Sequence, residues 1–366
     1  MKVHRIEVTA FRIPFRRAFA TAAGNVDSRC GLIIQLHGDD GLIGVGEASP
    51  HPIAAPGVLR EAARATAALQ RARDGRRPID LDELQQRIAA ERSPVTRAGF
   101  EMACYDLRAR AAGLRLAALL GCHIREDIPL NATLDQRDPR AAAAAAHGCV
   151  ARGFLCLKLK VTDDVDTECR RLEAIRAAVG DTVQIRLDCN GSWTVRQAVA
   201  AISRLAVYNI EYVEQPVAQI ADLAAVRRAV DVPIAADESV TDEQAVEAIA
   251  SAEAADVVVV KPTLLGVRLA AEVAESAHHC GLDVVVTSAL DTSIGITAAA
   301  HLAATLPNPL RACGLATAPL LAADLVAVPP AVTHGRLALP FAPGLGVTLD
   351  QAALTRWSIP LTTWSD

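Results

Sequence analysis

The stretch "FLCLKLKV" (154–161) places two lysines, Lys158 and Lys160, on one face of an apolar strand pattern, with Leu157, Leu159 and Val161 on the other. Two ammonium groups side by side at low dielectric repel, and burial penalises the charge of each. Further along, strand-like runs end in Asp188, Glu214, Asp237 and Lys261; counted from Lys160, the spacings are 28, 26, 23 and 24 residues. Three carboxylates with no histidine or cysteine among them form a hard-oxygen set, suited to Mg²⁺ or Mn²⁺ and not to zinc. A divalent ion would neutralise their mutual repulsion and leave positions open for a substrate. The lysine pair then has a use. A neighbouring ammonium and partial burial would draw the Lys160 pKa from about 10.4 toward the roughly 7–8 of a working general base.

Plainer readings compete with this one. A lone carboxylate at a strand end most often caps the next helix, and Asp237, followed by "ESVTDEQ", is the most open to that reading. Capping does not account for the lysines, so the set as a whole reads as a site. Thr287 and Ser288, ending a later strand, fit helix capping or core hydroxyls as well as ligand contacts. His51 falls in a loop, and all nine histidines read as surface or internally satisfied groups.

These side chains need a frame. From about Pro129 the chain alternates short β-branched runs with alanine-rich amphipathic segments. The runs are 129–134, 154–161, 183–190, 210–217, 232–239, 256–262 and 282–288, with "RACGLA" (311–316) as an eighth. Strands buried on both faces and alternating with helices mean parallel βαβ units. Eight of them favour a closed barrel, in which all the charged strand ends share one rim. The preceding "GLIIQLHGDDGLIGVGEASP" (31–50) reads as two antiparallel strands about the "GDDG" turn, and 58–74 and 94–121 read as helices, the latter region closing at Gly113 and Gly121. The organisation expected is an α+β capping domain over 1–125, completed by about 335–366, and a barrel over 126–334. Residues 15–25 and the Glu47 loop are expected to cover the site, with Gly24 as a point of movement.

Net charge is −5 over 366 residues and the basic residues form no stripe, which argues against nucleic acid or an acidic membrane surface as partner. No apolar run is long enough to span a bilayer, and the first residues lack a signal-peptide core. Nine cysteines without a CxxC pair read as reduced, buried small apolar side chains of a cytoplasmic protein. Homo-oligomerisation stays open.

The K-x-K of the second strand, "DCNGSW", "VEQP", "ADES" and "VVVVKP", with "GVGEASP" in the preceding region, resemble the enolase superfamily in its muconate-lactonizing subgroup. The resemblance spans nearly the whole chain. It implies an α/β fold: a modified TIM barrel, (β/α)7β, under an α+β capping domain. It also implies Asp188, Glu214 and Asp237 as Mg²⁺ ligands, Lys160 and Lys261 as acid/base groups on opposite sides of a small carboxylate substrate, and Lys158 as the group that tunes Lys160. A lysine base with a Mg²⁺-stabilised ene-diolate is the pattern of that superfamily.

Within the subgroup, "RLDCNGSW" with Arg186, "VVVVKPTLLG", "VVVTSALDTSIGITAAAHLAA" and "ACGLATAPLLAADLV" are similar to o-succinylbenzoate synthases. Those enzymes dehydrate a cyclohexadiene carboxylate to o-succinylbenzoate on the path to menaquinone. In that reading Lys160 removes the α-proton and later protonates the departing hydroxyl, while Lys261 stays charged beside the ring. Two-base racemisation of N-acyl amino acids, or epimerisation of dipeptides with Asp291 receiving the ammonium, fits the same barrel residues. A Schiff-base aldolase would leave the three carboxylates unexplained, and a non-catalytic binding barrel would not need all five charged groups together. Expected substrate contacts are Asn190, Ser288, Asp291, Arg186 and Glu47.

Overall fold

The computed structural model describes the chain except for residues 22–23, 52–55, 74–77 and 362–366. It opens with a long antiparallel pair, β1 (Lys2–Thr21) and β2 (Gly24–Gly38), which runs from Val3↔Gly38 to Thr21↔Gly24 with register shifts between Val3 and Arg5 and between Pro14 and Phe19. β3 (Ile43–Ala48) adds to the far edge of β2 across the expected turn. Three helices follow: α1 (Pro56–Arg73), α2 (Leu81–Ala89) and α3 (Pro94–Ala111). The "GVG" of β3 has a physical reason. A Cβ on Gly44 or Gly46 would run into the α3 backbone at Ala103 and Gly99, so only glycine lets the helix lie this close to the sheet.

Several expectations change here. The 94–121 region is one helix that ends at Ala111, followed past Gly113 (φ 67°) by a short 3₁₀ turn, Leu116–Leu119. The stretch 15–25 is not a free loop but the end of the β1–β2 hairpin, with residues 22–23 outside the described residues. Gly24 is paired with Thr21 at the end of that hairpin.

The second layer is a parallel sheet curled into a barrel. Its strands are β4 (Asn131–Leu134), β5 (Cys156–Lys160), β6 (Gln184–Asp188), β7 (Ile210–Glu214), β8 (Ile234–Ala236), β9 (Val257–Val260) and β10 (Asp283–Val286), each bonded to the next in chain order. Each of the first six is followed by a covering helix: α4 (Pro139–Ala151), α5 (Val165–Val179), α6 (Val195–Leu205), α7 (Ile220–Ala229), α8 (Glu243–Ser251) and α9 (Val267–His279). After β10 comes α10 (Ser293–Thr305), which is buried almost throughout because the cap covers its outer side. The eighth strand shrinks to two bridges, Leu130↔Cys313 and Thr287↔Gly314, which close the ring between β4 and β10. Near the C-terminus β11 (Ser358–Ile359) pairs with β1 and so returns the chain to the cap sheet.

One apolar cluster packs the barrel strands against their helices, and a small separate one (Tyr212, Ala235, Val257, Val259 and Val285) lies on the opposite face of those strands. Another lies between the cap sheet and α1–α3. A further cluster joins the two layers: Phe11, Ile13, Ile33 and Met102 of the cap meet Val267, Ile294 and Ala298 of the barrel helices. All nine cysteines are free; five are buried, while Cys122 and Cys280 are exposed. Among the described residues no helix is long and apolar enough to cross a membrane.

Candidate active site

Strand register brings the charged ends together. Lys160 pairs with Asp188, Asp188 with Glu214, and Glu214 with Ala235, two residues before Asp237. Lys158 Nζ lies 2.7 Å from Glu214 Oε1 and 2.9 Å from Asp188 Oδ2. Lys160 Nζ donates to the same Asp188 oxygen at 2.6 Å and to Asn190 Oδ1 at 2.6 Å. Lys261 Nζ grips both oxygens of Asp237, at 2.5 and 2.6 Å. The two neighbouring lysines are thus bridged by one carboxylate, and that relieves their repulsion.

The electrostatics follow from these pairs. Burial opposes the charge on Lys158, but Asp188 and Glu214 outweigh it and hold the ammonium well above the ordinary lysine value. Against the same burial penalty, Lys158 and Lys160 keep Asp188 below the usual carboxylate range. Glu214 goes the other way. Burial, with Asp188 alongside, pushes it up to about 8. Its Oε2 is buried without any hydrogen-bond partner, a state that costs about 1–3 kcal/mol.

Among the described residues no three carboxylates stand ready-made as a metal cage; each is turned onto an ammonium instead. The donor chemistry nonetheless suits a hard divalent cation, and the orphaned Glu214 oxygen is the acceptor such an ion would satisfy.

Two rim residues complete the arrangement. Asn190, at φ 47°, links Lys160 to Glu238, with Nδ2 donating to Glu238 Oε1 at 2.9 Å. Gln215, at φ 39°, was not singled out by sequence reasoning. Its Oε1 accepts from the Asp237 N–H (2.8 Å), and its Nε2 donates to Val217 O and Ser239 Oγ (2.9 and 2.8 Å). It ties the end of β7 to the end of β8, and its only sequence signal was its place inside "VEQP".

Four expected substrate contacts turn out to be engaged elsewhere. Arg186 is fully buried and reaches toward the strand starts, away from the rim. Its Nε meets Glu211 Oε2 at 2.6 Å, its Nη1 donates to Ala312 O at 2.5 Å, and its guanidinium lies 4.6 Å over the Tyr212 ring. Ser288 Oγ is spent on Thr317 Oγ1 (2.7 Å). Asp291 is wholly buried. One oxygen pairs with Arg29 Nη2 (2.9 Å), and the other accepts from Thr263 Oγ1 (2.7 Å) and the Ala289 N–H (3.0 Å).

Glu47 is wholly buried as well. Its carboxyl group accepts from Ser49 Oγ (2.8 Å), Thr292 Oγ1 (2.6 Å) and the N–H groups of Thr292 and Gly295 (3.3 and 3.1 Å), which places a cap-borne carboxyl at the N-terminus of α10. Burial and then Asp291 push it up to about 7. Arg29 also donates to the Pro50 carbonyl. The next residue, His51, is half-buried and feels Lys261, Asp237 and Lys160; burial first, then Lys261, lowers it to about 4. Sequence reasoning had placed His51 among surface or core histidines.

A capped α/β barrel with a charged rim at the carboxyl ends of its strands is an enzyme architecture. The chain belongs to the enolase superfamily, in its mandelate racemase and muconate lactonizing branch. Residues 5–121 match "Mandelate racemase / muconate lactonizing enzyme, N-terminal domain" and residues 140–353 match "Enolase C-terminal domain-like". The o-succinylbenzoate synthase of Thermobifida fusca is 43% identical over 68% of this chain and 75% of its own. The hydrophobic dipeptide epimerase of Enterococcus faecalis is 33% identical over 95% of this chain and all of its own. The crystal structure of the Enterococcus faecalis dipeptide epimerase with Mg and the dipeptide L-Leu-L-Tyr superimposes with a TM-score of 0.85, at 32% identity over 95% of this chain and all of that one.

Proposed function

We propose that this enzyme removes the α-proton of a small carboxylate substrate, and that its reaction is the dehydration of a cyclohexadiene carboxylate to o-succinylbenzoate. The observation that carries the proposal is the placement of Lys160 and Lys261 on either flank of the Asp188, Glu214 and Asp237 carboxylates. The engagement of Asp291 with Arg29 speaks for an anionic or neutral substrate tail over a dipeptide, whose ammonium would need that carboxylate.

Asp188, Glu214 and Asp237 would hold Mg²⁺ or Mn²⁺. When bound, such an ion stabilises the negative charge that builds on a substrate carboxylate as its α-proton leaves. Lys160, as the amine, takes that proton at Nζ; the ammonium so formed returns it to the departing hydroxyl, so water leaves and the lysine is restored. Lys158, held cationic between Asp188 and Glu214, keeps a positive charge beside Lys160. Asn190 aims the Lys160 side chain, and Lys261 remains a cation beside the substrate ring.

Racemisation of N-acyl amino acids is the second reading, favoured by the same pair of lysines, one for each face of the α-carbon. Both are tested together by ultraviolet turnover of the cyclohexadiene acid and α-deuterium exchange of N-succinyl amino acids. Lys160→Ala should abolish both activities. Lys261→Arg keeps the charge but exchanges no proton readily, so it should eliminate racemisation and spare part of the dehydration. Rapid racemisation without dehydration in the wild type would replace the first reading by the second; neither activity would end the α-proton reading.

A further inference from the structure

Each of the two rim lysines has a fully buried arginine behind it, and the two arginines come from different domains. Arg171, on α5, donates to the Lys160 carbonyl (2.7 Å) and the Leu134 carbonyl (3.1 Å), which ties the ends of β4 and β5 to the helix. Its partner Glu168 (3.1 Å) accepts in turn from the N–H and hydroxyl of Thr162, both at 3.1 Å. Arg29, on β2 of the cap, pairs with Asp291, and Asp291 holds Thr263. Thr263 belongs to the short helical turn Pro262–Leu265, whose Leu264 and Leu265 N–H groups bond the Lys261 carbonyl at 3.0 and 3.1 Å. The other arm of Arg29 holds the Pro50 carbonyl, one residue before His51.

We propose that Arg29 is a positioning residue for Lys261, the cap-borne counterpart of Arg171 behind Lys160. The proposal rests on the reading that both lysines face the substrate. Stability alone explains these pairs poorly, because buried ion pairs are often no better than apolar side chains of the same volume. Both arginines also leave a buried Nε without a partner, a cost an apolar filler would not carry. What each pair does provide is a fixed backbone at a reacting lysine. The asymmetry has a functional meaning: the anchor behind Lys160 lies wholly in the barrel, whereas the one behind Lys261 is completed by the cap.

The test compares Arg29→Met with Arg171→Met by hydrogen exchange and by turnover. Arg29→Met is expected to speed amide exchange in 47–51 and 261–266 while leaving 158–162 unchanged, and Arg171→Met is expected to do the reverse. In Arg29→Met, kcat should fall by about tenfold or more with KM nearly unchanged, as for a misplaced reacting group. Where α-deuterium exchange is measurable, exchange of one enantiomer should drop and that of the other persist. Asp291→Asn, which is isosteric and can keep its bonds to Thr263 and Ala289, serves if Arg29→Met does not fold. The proposal is overturned if the variants lower only the melting temperature, or if 158–162 and 261–266 loosen together in either one. A wild type that exchanges no α-proton would sink the catalytic reading, while the local exchange pattern still decides the anchoring.

Discussion

Lys158 stood out in the sequence because a charge in an apolar strand demands an explanation. Its partner did not, since nothing local says that Asp188 will be shared by two lysines. Removing this ammonium should leave Asp188 and Glu214 facing each other without their common cation. We therefore expect Lys158→Met to lose about 3–5 kcal/mol of stability in EDTA, and Mg²⁺ or Mn²⁺ to restore more of it than it adds to the wild type. Thermal unfolding with and without the ion checks this. If the ion raises the melting temperature of neither protein, the metal proposal is wrong.

Arg186 shows where reading by residue breaks down. Two positions before Asp188 it points to the same side of β6, but a barrel interior is layered, and sharing a face is not sharing a layer. Ser288, Asp291 and Glu47 take further partners that no local pattern announces: Thr317, Arg29 and Thr292, far along the chain or in the other domain.

At the scale of elements, the valine-rich barrel strands were legible because burial on both faces leaves little room for polar residues. β1 was not read as a strand because its charged residues break up the apolar ones, and α2 was missed because Leu81, Leu84 and Ile88 are sparse among polar neighbours. The eighth strand was overread because "RACGLA" has the right composition but makes only bridges.

α10 is fixed in part by a buried, internally satisfied histidine. His301 Nδ1 accepts from the Ala117 N–H (3.3 Å) and its Nε2 donates to Leu345 O (3.1 Å), so the neutral ring joins three segments. Burial lowers it to about 4. A folded-state pKa below the ordinary 6.5 means that its stabilisation is present above that value and is lost as pH falls through about 4. His301→Leu should therefore lose less stability than the wild type between pH 7 and pH 4.5 in denaturant unfolding. Equal losses would refute the neutral-bridge role.

For the whole molecule, the capped barrel was announced by ordered motifs, but the way the cap is held was not. The joint is an apolar cluster with two polar struts through it, the Glu47 carboxyl on the α10 N-terminus and Arg29 on Asp291. Glu47 gives the joint a pH dependence. Its folded-state pKa lies at about 7 against an ordinary 4.5, so its stabilisation is complete below 4.5 and declines as pH rises through 7. The change is on the order of 3 kcal/mol. Glu47→Gln should flatten that slope whatever it does to stability at a single pH, as read from unfolding at pH 5 and pH 8; an unchanged slope would assign the dependence to another group.

The ring of strands resembles a hoop, and a hoop is only as strong as its clasp. Every other junction is a strand pair, whereas Cys313 and Gly314 fasten β4 to β10 by single links. Gly314 has no room for a side chain there, since a Cβ would come within 2.8 Å of Thr287 Cβ. The guanidinium of Arg186, bonded to the Ala312 carbonyl from inside, is the pin through that clasp. Drawing the pin, as in Arg186→Met, should let the hoop spring open at 311–315 before any other strand yields, and amide exchange there should lead the rest of the barrel. The residue first taken for a substrate contact then keeps the ring shut from the end opposite the chemistry.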